Sequence, residues 1–153
     1  MKQKKVSYKQ ETNKMSAEEN KITARRFFEL FSSGDFDGAS QLVAENVIVH
    51  GFPGLQPGRE NYKQVGQMFA RAFPDHQSIV EDQVAEGDRV VTRTTFRGTH
   101  LGDLQGIPPT GKQIAFSSVM IDRFENGLIA ERWVVFDQFG MLQQLGVIPA
   151  PEQ

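Results

Sequence analysis

The sequence predicts a single α+β domain, with helices packed against a curved, mostly antiparallel sheet that encloses a pocket for a small, largely apolar molecule. Three observations carry this. The first half of the chain holds apolar stripes at helical spacing: Ala24, Phe27, Phe28 and Phe31, then Tyr62, Val65, Phe69, Ala72 and Phe73. The second half holds four alternating apolar and polar runs separated by turn residues. The aromatic content is twelve Phe against one Trp and two Tyr. Phe fills space without needing a hydrogen-bond partner, which suits a thick core or an apolar cavity wall.

Residues 1–16 carry five Lys and one Glu and read as a disordered basic leader. The folded domain is expected over 17–148, with 149–153 as a tail. Ser16-Ala17-Glu18-Glu19 has the form of a capping box, so a helix starts there, and Gly34 supplies its stop. A short second helix is expected over Ala39 to Ala44, with Leu42 and Val43 inward. Val47 to Phe52 reads as a strand running into the loop from Pro53 to Gly58. A third helix follows from about Arg59 to Ala72 and ends at Pro74. Strands are expected over 77–86, 89–98, 113–124 and 128–137. Gly87-Asp88 forms a tight turn, and a long Gly/Pro-rich loop runs from Thr99 to Lys112. A last helix, Gln138 to Leu145, precedes Pro149 and Pro151. There is no internal repeat and no domain boundary.

The last hairpin decides which side chains share a face. Asn126-Gly127 marks its turn. A three-residue loop, Glu125-Asn126-Gly127, would set Phe124 opposite Leu128, Asp122 opposite Ala130, and Met120 opposite Arg132. One face then carries Phe116, Ser118, Met120, Asp122, Arg132, Val134 and Phe136. The other carries Val119, Ile121, Ile129, Glu131, Trp133 and Val135. A two-residue loop would mix the two sets. Both faces are substantially apolar, so the one away from the helices needs a second cover. A homodimer through Val119, Ile121, Ile129, Trp133 and Val135 is the expected one.

Beyond the leader the chain carries a net charge of −6, which argues against a nucleic-acid footprint. No apolar run has the length of a membrane span or the form of a signal peptide. The absence of cysteine excludes disulfides and thiolate metal sites and fits a cytoplasmic setting. His50, His76 and His100 show no metal-ligand spacing, so no metal site is expected. No phosphate loop, dinucleotide fingerprint or nucleophile elbow is present.

A set of short motifs in order adds a family resemblance. Arg26-Phe27-Phe28, Gly34-Asp35, Pro57-Gly58-Arg59-Glu60, Phe73-Pro74-Asp75, Glu86-Gly87-Asp88 and Gly98-Thr99-His100 lead to the two fullest matches. These are Gly106-Ile107-Pro108-Pro109-Thr110-Gly111 and the ending from Phe136-Asp137-Gln138-Phe139-Gly140 through Gly146. Together they resemble the SnoaL-like polyketide (ester) cyclases over about residues 20–146. The resemblance implies the cone-shaped nuclear transport factor 2-like fold, a pocket between helices and sheet, frequent dimers, and no metal or organic cofactor. It also implies an Asp acid/base on the last long strand and an assisting His on the strand before. Those positions here hold Val134 and Met120, neither of which can move a proton.

The residues that remain define the candidate site. His50 ends the first strand near the expected mouth and can act as acid or base near neutrality. Arg132 and Asp122 share a face, so a pair there would hold Arg132 rigid to steady developing negative charge. His50, Asp122 and Arg132 are therefore the catalytic candidates. Phe28, Phe31, Phe69, Phe73, Ser118, Met120, Val134 and Phe136 are the substrate-binding candidates, since such walls are mostly apolar. Asp137 reads as the cap of the closing helix. His100 reads as a loop cap, and His76 as a surface residue at a strand entry. The expected function is a cofactor-free cyclase or isomerase acting on a small apolar, carbonyl-bearing molecule. The alternative is a non-catalytic binding protein of the same shape.

Overall fold

The computed structural model describes residues 15–151. The segment read as a basic leader lies, up to Lys14, outside the described residues, as does the end of the tail. Four helices and five strands follow in chain order: α1 (Ala17–Ser32), α2 (Phe36–Ser40), β1 (Val43–His50), α3 (Arg59–Ala72), β2 (Gln77–Glu86), β3 (Arg89–Thr99), β4 (Gln113–Glu125), β5 (Leu128–Phe136) and α4 (Gln138–Gln144).

The start of α1 is the expected capping box. Ser16 Oγ accepts from the Glu19 amide at 3.0 Å, and the Ser16 amide donates to the Glu19 carboxylate. The next two elements start earlier than expected. Asp35 caps α2 by accepting from the Gly38 amide at 2.8 Å, so the helix begins at Phe36 rather than Ala39. Val43 is then free to start β1, and it pairs with Ile129. An Asp cap outcompetes the weak helix signal of Leu42-Val43, and a β-branched residue prefers the strand.

The five strands form one open mixed sheet in the order β1-β5-β4-β3-β2. Three neighbouring pairs are antiparallel, and β1 runs parallel to β5. Helix α1 packs on β2 and β3, α3 on α2 and β1, and α4 on β4. One cluster buries Phe27, Phe28, Val43, Val47, Val90, Phe124, Ile129 and Val134. A second buries Phe73, Phe96, Leu104, Ile114, Phe116 and Leu145 at the other end of the sheet.

The β4–β5 hairpin corrects the expected loop. Glu125 pairs with Leu128, so the turn has two residues, and Asn126 and Gly127 both take positive φ (51° and 77°). That is the turn whose twist matches the flanking strands. The register then shifts between Arg123 and Phe124, because Ala130 is an extra residue in β5. This bulge sets Asp122 opposite Arg132, Met120 opposite Val134 and Ser118 opposite Phe136. The two face sets therefore survive the shorter turn, with one exception. Ile129 is fully buried against Phe124 and belongs to the core rather than to the outer face.

Candidate functional site

Three helices and the inner face of the sheet surround a cavity of about 90 Å³. Helices α1 and α2 contribute Phe27, Phe28, Phe31, Phe36 and Ser40, while α3 contributes Tyr62, Lys63, Val65, Gly66 and Phe69. The sheet contributes Phe96, Phe116, Ser118, Met120, Val134 and Phe136. The aromatic rings interlock: Phe96 stacks on Phe116 at 4.9 Å, Phe116 meets Phe136 at 5.6 Å, and Phe69 stands edge-on to Phe96 at 5.9 Å. Edge-to-face and offset contacts of this kind fix the ring positions. At its near end β1 turns away through Gly51, where a side chain would strike the Val134 carbonyl oxygen, so only glycine fits this close approach.

Of the expected substrate-binding residues, Phe28, Phe31, Phe69, Ser118, Met120, Val134 and Phe136 line the cavity. Phe73 does not. It is fully buried in the second cluster, edge-on to Phe96 at 5.6 Å, because the last turn of α3 points its side chain toward the Leu104 side of the sheet. The catalytic candidates are not brought together. His50 lies on the outer face of the sheet, stacked on Trp133 at 5.2 Å and hydrogen-bonded to Glu131 at 2.7 Å. Val49 of β1 is buried, so strict strand alternation sends its neighbour His50 outward. The His50 hydrogen bond, followed by the Arg123 bond, holds the Glu131 carboxyl below its ordinary pKa against the opposing effect of burial.

Asp122 and Arg132 do face inward, both with fully buried side chains. Arg132 donates through Nε to one carboxylate oxygen at 2.6 Å and through Nη2 to the other at 2.9 Å. Its guanidinium lies 4.2 Å from the Phe27 ring centre and 5.3 Å from that of Phe28. Burial alone would lower the Arg132 pKa. The Asp122 charge, then Tyr62, outweigh it and hold the guanidinium above its ordinary value. Neither Asp122 nor Arg132 lines the cavity, because Phe27, Phe28 and Tyr62 lie between the pair and the open space. The pair reaches the cavity through one contact: Arg132 Nη1 donates to the Tyr62 hydroxyl oxygen at 3.1 Å.

Sequence reasoning left several lining residues out of the site, among them Phe27, Phe36, Phe96 and Phe116 and the ionisable pair Tyr62 and Lys63. For Tyr62, a lone Tyr inside the Phe-rich stripe of α3 was the available signal. The ring of Tyr62 stacks on Phe27 at 6.0 Å, nearly parallel. Lys63 is anchored by Asp37 and Glu60, and the Asp37 hydrogen bond, outweighing burial, raises its pKa. The remaining polar wall is made of hydroxyls. Ser118 Oγ is 2.6 Å from Thr94 Oγ1, and Ser40 and Ser78 also face the space.

The other candidates resolve into structural roles. Asp137 caps α4 by accepting from the Gly140 amide at 2.9 Å. His100 is buried, and its Nδ1 accepts from the Thr110 amide at 3.1 Å within the long loop. His76 is not a surface residue. It is buried, with Nε2 2.7 Å from the Phe31 carbonyl and Nδ1 3.2 Å from the Phe73 carbonyl, so it bridges the ends of α1 and α3. Among the described residues, no group of three or more His, Asp or Glu side chains gathers in a metal-binding arrangement. No helix there is long and apolar enough to cross a membrane.

Comparison with known proteins places this geometry. A family model for SnoaL-like polyketide cyclases matches residues 21–145. The aklanonic acid methyl ester cyclase DnrD of Streptomyces peucetius is 26% identical over 133 residues, which cover 84% of this chain and 92% of that one. The crystal structure of AclR from Streptomyces galilaeus superposes with a TM-score of 0.82 at 26% identity, covering 90% of this chain and 87% of its own. That of wild-type IdmH from Streptomyces antibioticus gives 0.73 at 34% identity, covering 83% and 98%.

Proposed function

The chain belongs to the SnoaL-like polyketide cyclase family, and from that premise we propose that it binds a small apolar, carbonyl-bearing molecule in the aromatic cavity and runs a cofactor-free cyclisation or isomerisation on it. The fold is the nuclear transport factor 2-like α+β arrangement of that family. The observation that carries the reading is the wall itself. Phe is the commonest residue of its lining, and a few hydroxyls supply its polar edge. Such a wall takes up an apolar skeleton and fixes its orientation with one or two hydrogen bonds. The closure of aklanonic acid methyl ester, for which DnrD is named, is not carried over. Met120 and Val134 stand where the family resemblance implies a His and an Asp, and both line the cavity as apolar side chains.

A second reading, ligand binding without turnover, is favoured by a specific observation. Among the described residues, the cavity wall includes no carboxylate and no imidazole, and its ionisable side chains are Tyr62 and Lys63. Proton transfer at the methyl group of acetophenone in heavy water separates the two. Deuterium uptake faster than in buffer, blocked by a bulkier aromatic ketone, supports turnover. Binding seen as shifts of the Phe69, Phe116 and Phe136 ring resonances without faster uptake supports the binding protein. Absence of any such shift at millimolar acetophenone overturns both.

The outer face of the sheet is the proposed contact with a second copy of the chain. Val119, Ile121, Trp133 and Val135 lie on it, joined by Ile48 from β1. Ile129 is withdrawn from the patch because it is buried. Glu131 and Arg123, at the edge of the patch, pair with each other at 3.2 Å inside one chain.

A further inference from the structure

We infer that the Tyr62 hydroxyl is the donor that receives the carbonyl oxygen of the bound molecule, held in that role by Arg132 and Asp122. The inference rests on the small-molecule reading above and names the atom that does the recognition. A phenol oxygen has one proton to give and lone pairs to share. Arg132 Nη1 occupies a lone pair at 3.1 Å, and as a guanidinium it can only donate. The hydroxyl proton of Tyr62 therefore points elsewhere, and among the described residues it has no hydrogen-bond acceptor. Tyr62 is among the residues that line the cavity, which offers that proton a place for a ligand's acceptor atom.

The surroundings make this donor both rigid and strong. Its ring is stacked on Phe27, and the Arg132 guanidinium lies 4.2 Å from the Phe27 ring centre and 5.8 Å from that of Tyr62. Arg132 is itself fixed by two hydrogen bonds to Asp122. A chain of hydrogen bonds that begins at an ion pair polarises each successive O–H, and the effect is larger in a water-poor interior. The apolar wall selects the partner. A carboxylate would lose its hydration among Phe rings, whereas a neutral carbonyl loses little and gains the phenol bond. Of the other hydroxyls that line the cavity, Ser118 is already engaged with Thr94.

The cavity's size sets the probe. At about 90 Å³ it is of the same order as the ~150 Å³ apolar cavity that accepts benzene, so a one-ring ketone is the fitting choice. Acetophenone labelled with carbon-13 at the carbonyl is compared with α-methylstyrene, the same shape without the oxygen. On the intact protein, the infrared carbonyl band of bound acetophenone should lie below its position in an apolar solvent. In Tyr62→Phe it should return toward that position, and affinity for acetophenone should fall about three- to tenfold, the worth of one net hydrogen bond. Affinity for α-methylstyrene should stay within about twofold of wild type, since no hydrogen bond is at stake. Biosynthetic replacement of tyrosine by difluorotyrosine, a stronger donor, gives a second measurement that keeps the fold and should move the band further down. An unchanged band in both variants, with both probes still bound, overturns the role of Tyr62 and leaves the small-molecule reading standing. Failure of both probes to bind the wild-type protein overturns the two together.

Discussion

Asp122 and Arg132 stand directly opposite each other across β4 and β5, joined by hydrogen bonds of 2.6 and 2.9 Å with neither side chain exposed. Ion pairs buried this way return little net stability, because desolvating the two charges offsets their attraction. Losing one member is a different matter, since the survivor is left charged in a dry interior.

Arg132→Met should therefore destabilise the protein by about 3–5 kcal/mol, measured by urea denaturation. The double substitution Arg132→Met with Asp122→Leu should recover most of that loss, because no unpaired charge then remains. Additive losses in the double variant would show that the two side chains do not act as a pair.

The hairpin turn carries the second expectation. Asn126 holds a φ of 51°, a region that Asn tolerates and Ala does not. Asn126→Ala should lower stability by about 1–2 kcal/mol, while Asn126→Gly should be close to neutral. The denaturation midpoint should move with an unchanged slope, as expected when only native-state strain changes. A slope that changes along with the midpoint would show that the substitution does more than strain the native turn, altering the compactness of one state or breaking two-state unfolding.

That hairpin also marks how far the sequence could be read. Periodicity located α1, α3 and all four strands of the second half, because each carries a long repeat with a cap or turn at its end. The inner-face grouping of Ser118, Met120, Asp122, Arg132, Val134 and Phe136 was expected from a three-residue loop, and it holds because the bulge at Ala130 offsets the two-residue turn that takes that loop's place. Ile129 was not legible as an inward residue. It lies three residues from Arg132, an odd spacing, yet both point inward, which only the extra residue Ala130 permits. A bulge leaves no mark in apolar patterning. The fate of His50 was hidden differently: β1 begins at Val43 rather than Val47 and pairs parallel to β5, a long-range choice that no local signal records. Tyr62 was read as one more apolar position in its helix, and its value lies in a partner seventy residues away.

Acid stability should report on Asp75. Its carboxylate accepts from both the amide and the hydroxyl of Thr99 at 2.7 Å, which ties the entry of β2 to the end of β3. The hydroxyl bond, then the amide bond, hold its pKa below the ordinary 3.8 despite some opposing desolvation. A depressed carboxyl stabilises the fold above its unfolded pKa of about 3.9, and that contribution is lost as pH falls through the folded value. The wild-type protein should therefore lose more stability than Asp75→Ala between pH 5 and strong acid, with the curves converging at the acid end. The difference should be modest, because the group is exposed and screened by solvent. Parallel curves for the two proteins over that range would remove Asp75 from the acid response.

The outer sheet face gives the last expectation, a homodimer. Val135 is 71% exposed and Ile48 is 41% exposed, beside partly covered Val119, Ile121 and Trp133. Burying an aliphatic side chain contributes about 1.5–3 kcal/mol, so leaving these together in water is costly. Trp133 is already flanked within its own chain, by His50 at 5.2 Å and by the Arg89 guanidinium at 5.3 Å. A charge at Trp133 would disturb that packing as well as any interface, so it cannot separate folding from association. Val135 can: its side chain is mostly free, and Val135→Lys should leave the unfolding midpoint of the isolated chain little changed while weakening association at least tenfold, as loss of about 1.4 kcal/mol or more requires. Sedimentation across the micromolar range is the measurement. Wild-type protein should show a concentration-dependent mass that rises to twice the chain mass, and Val135→Lys should shift that rise to higher concentration. A constant monomer mass for the wild type would leave the face uncovered and sink the dimer.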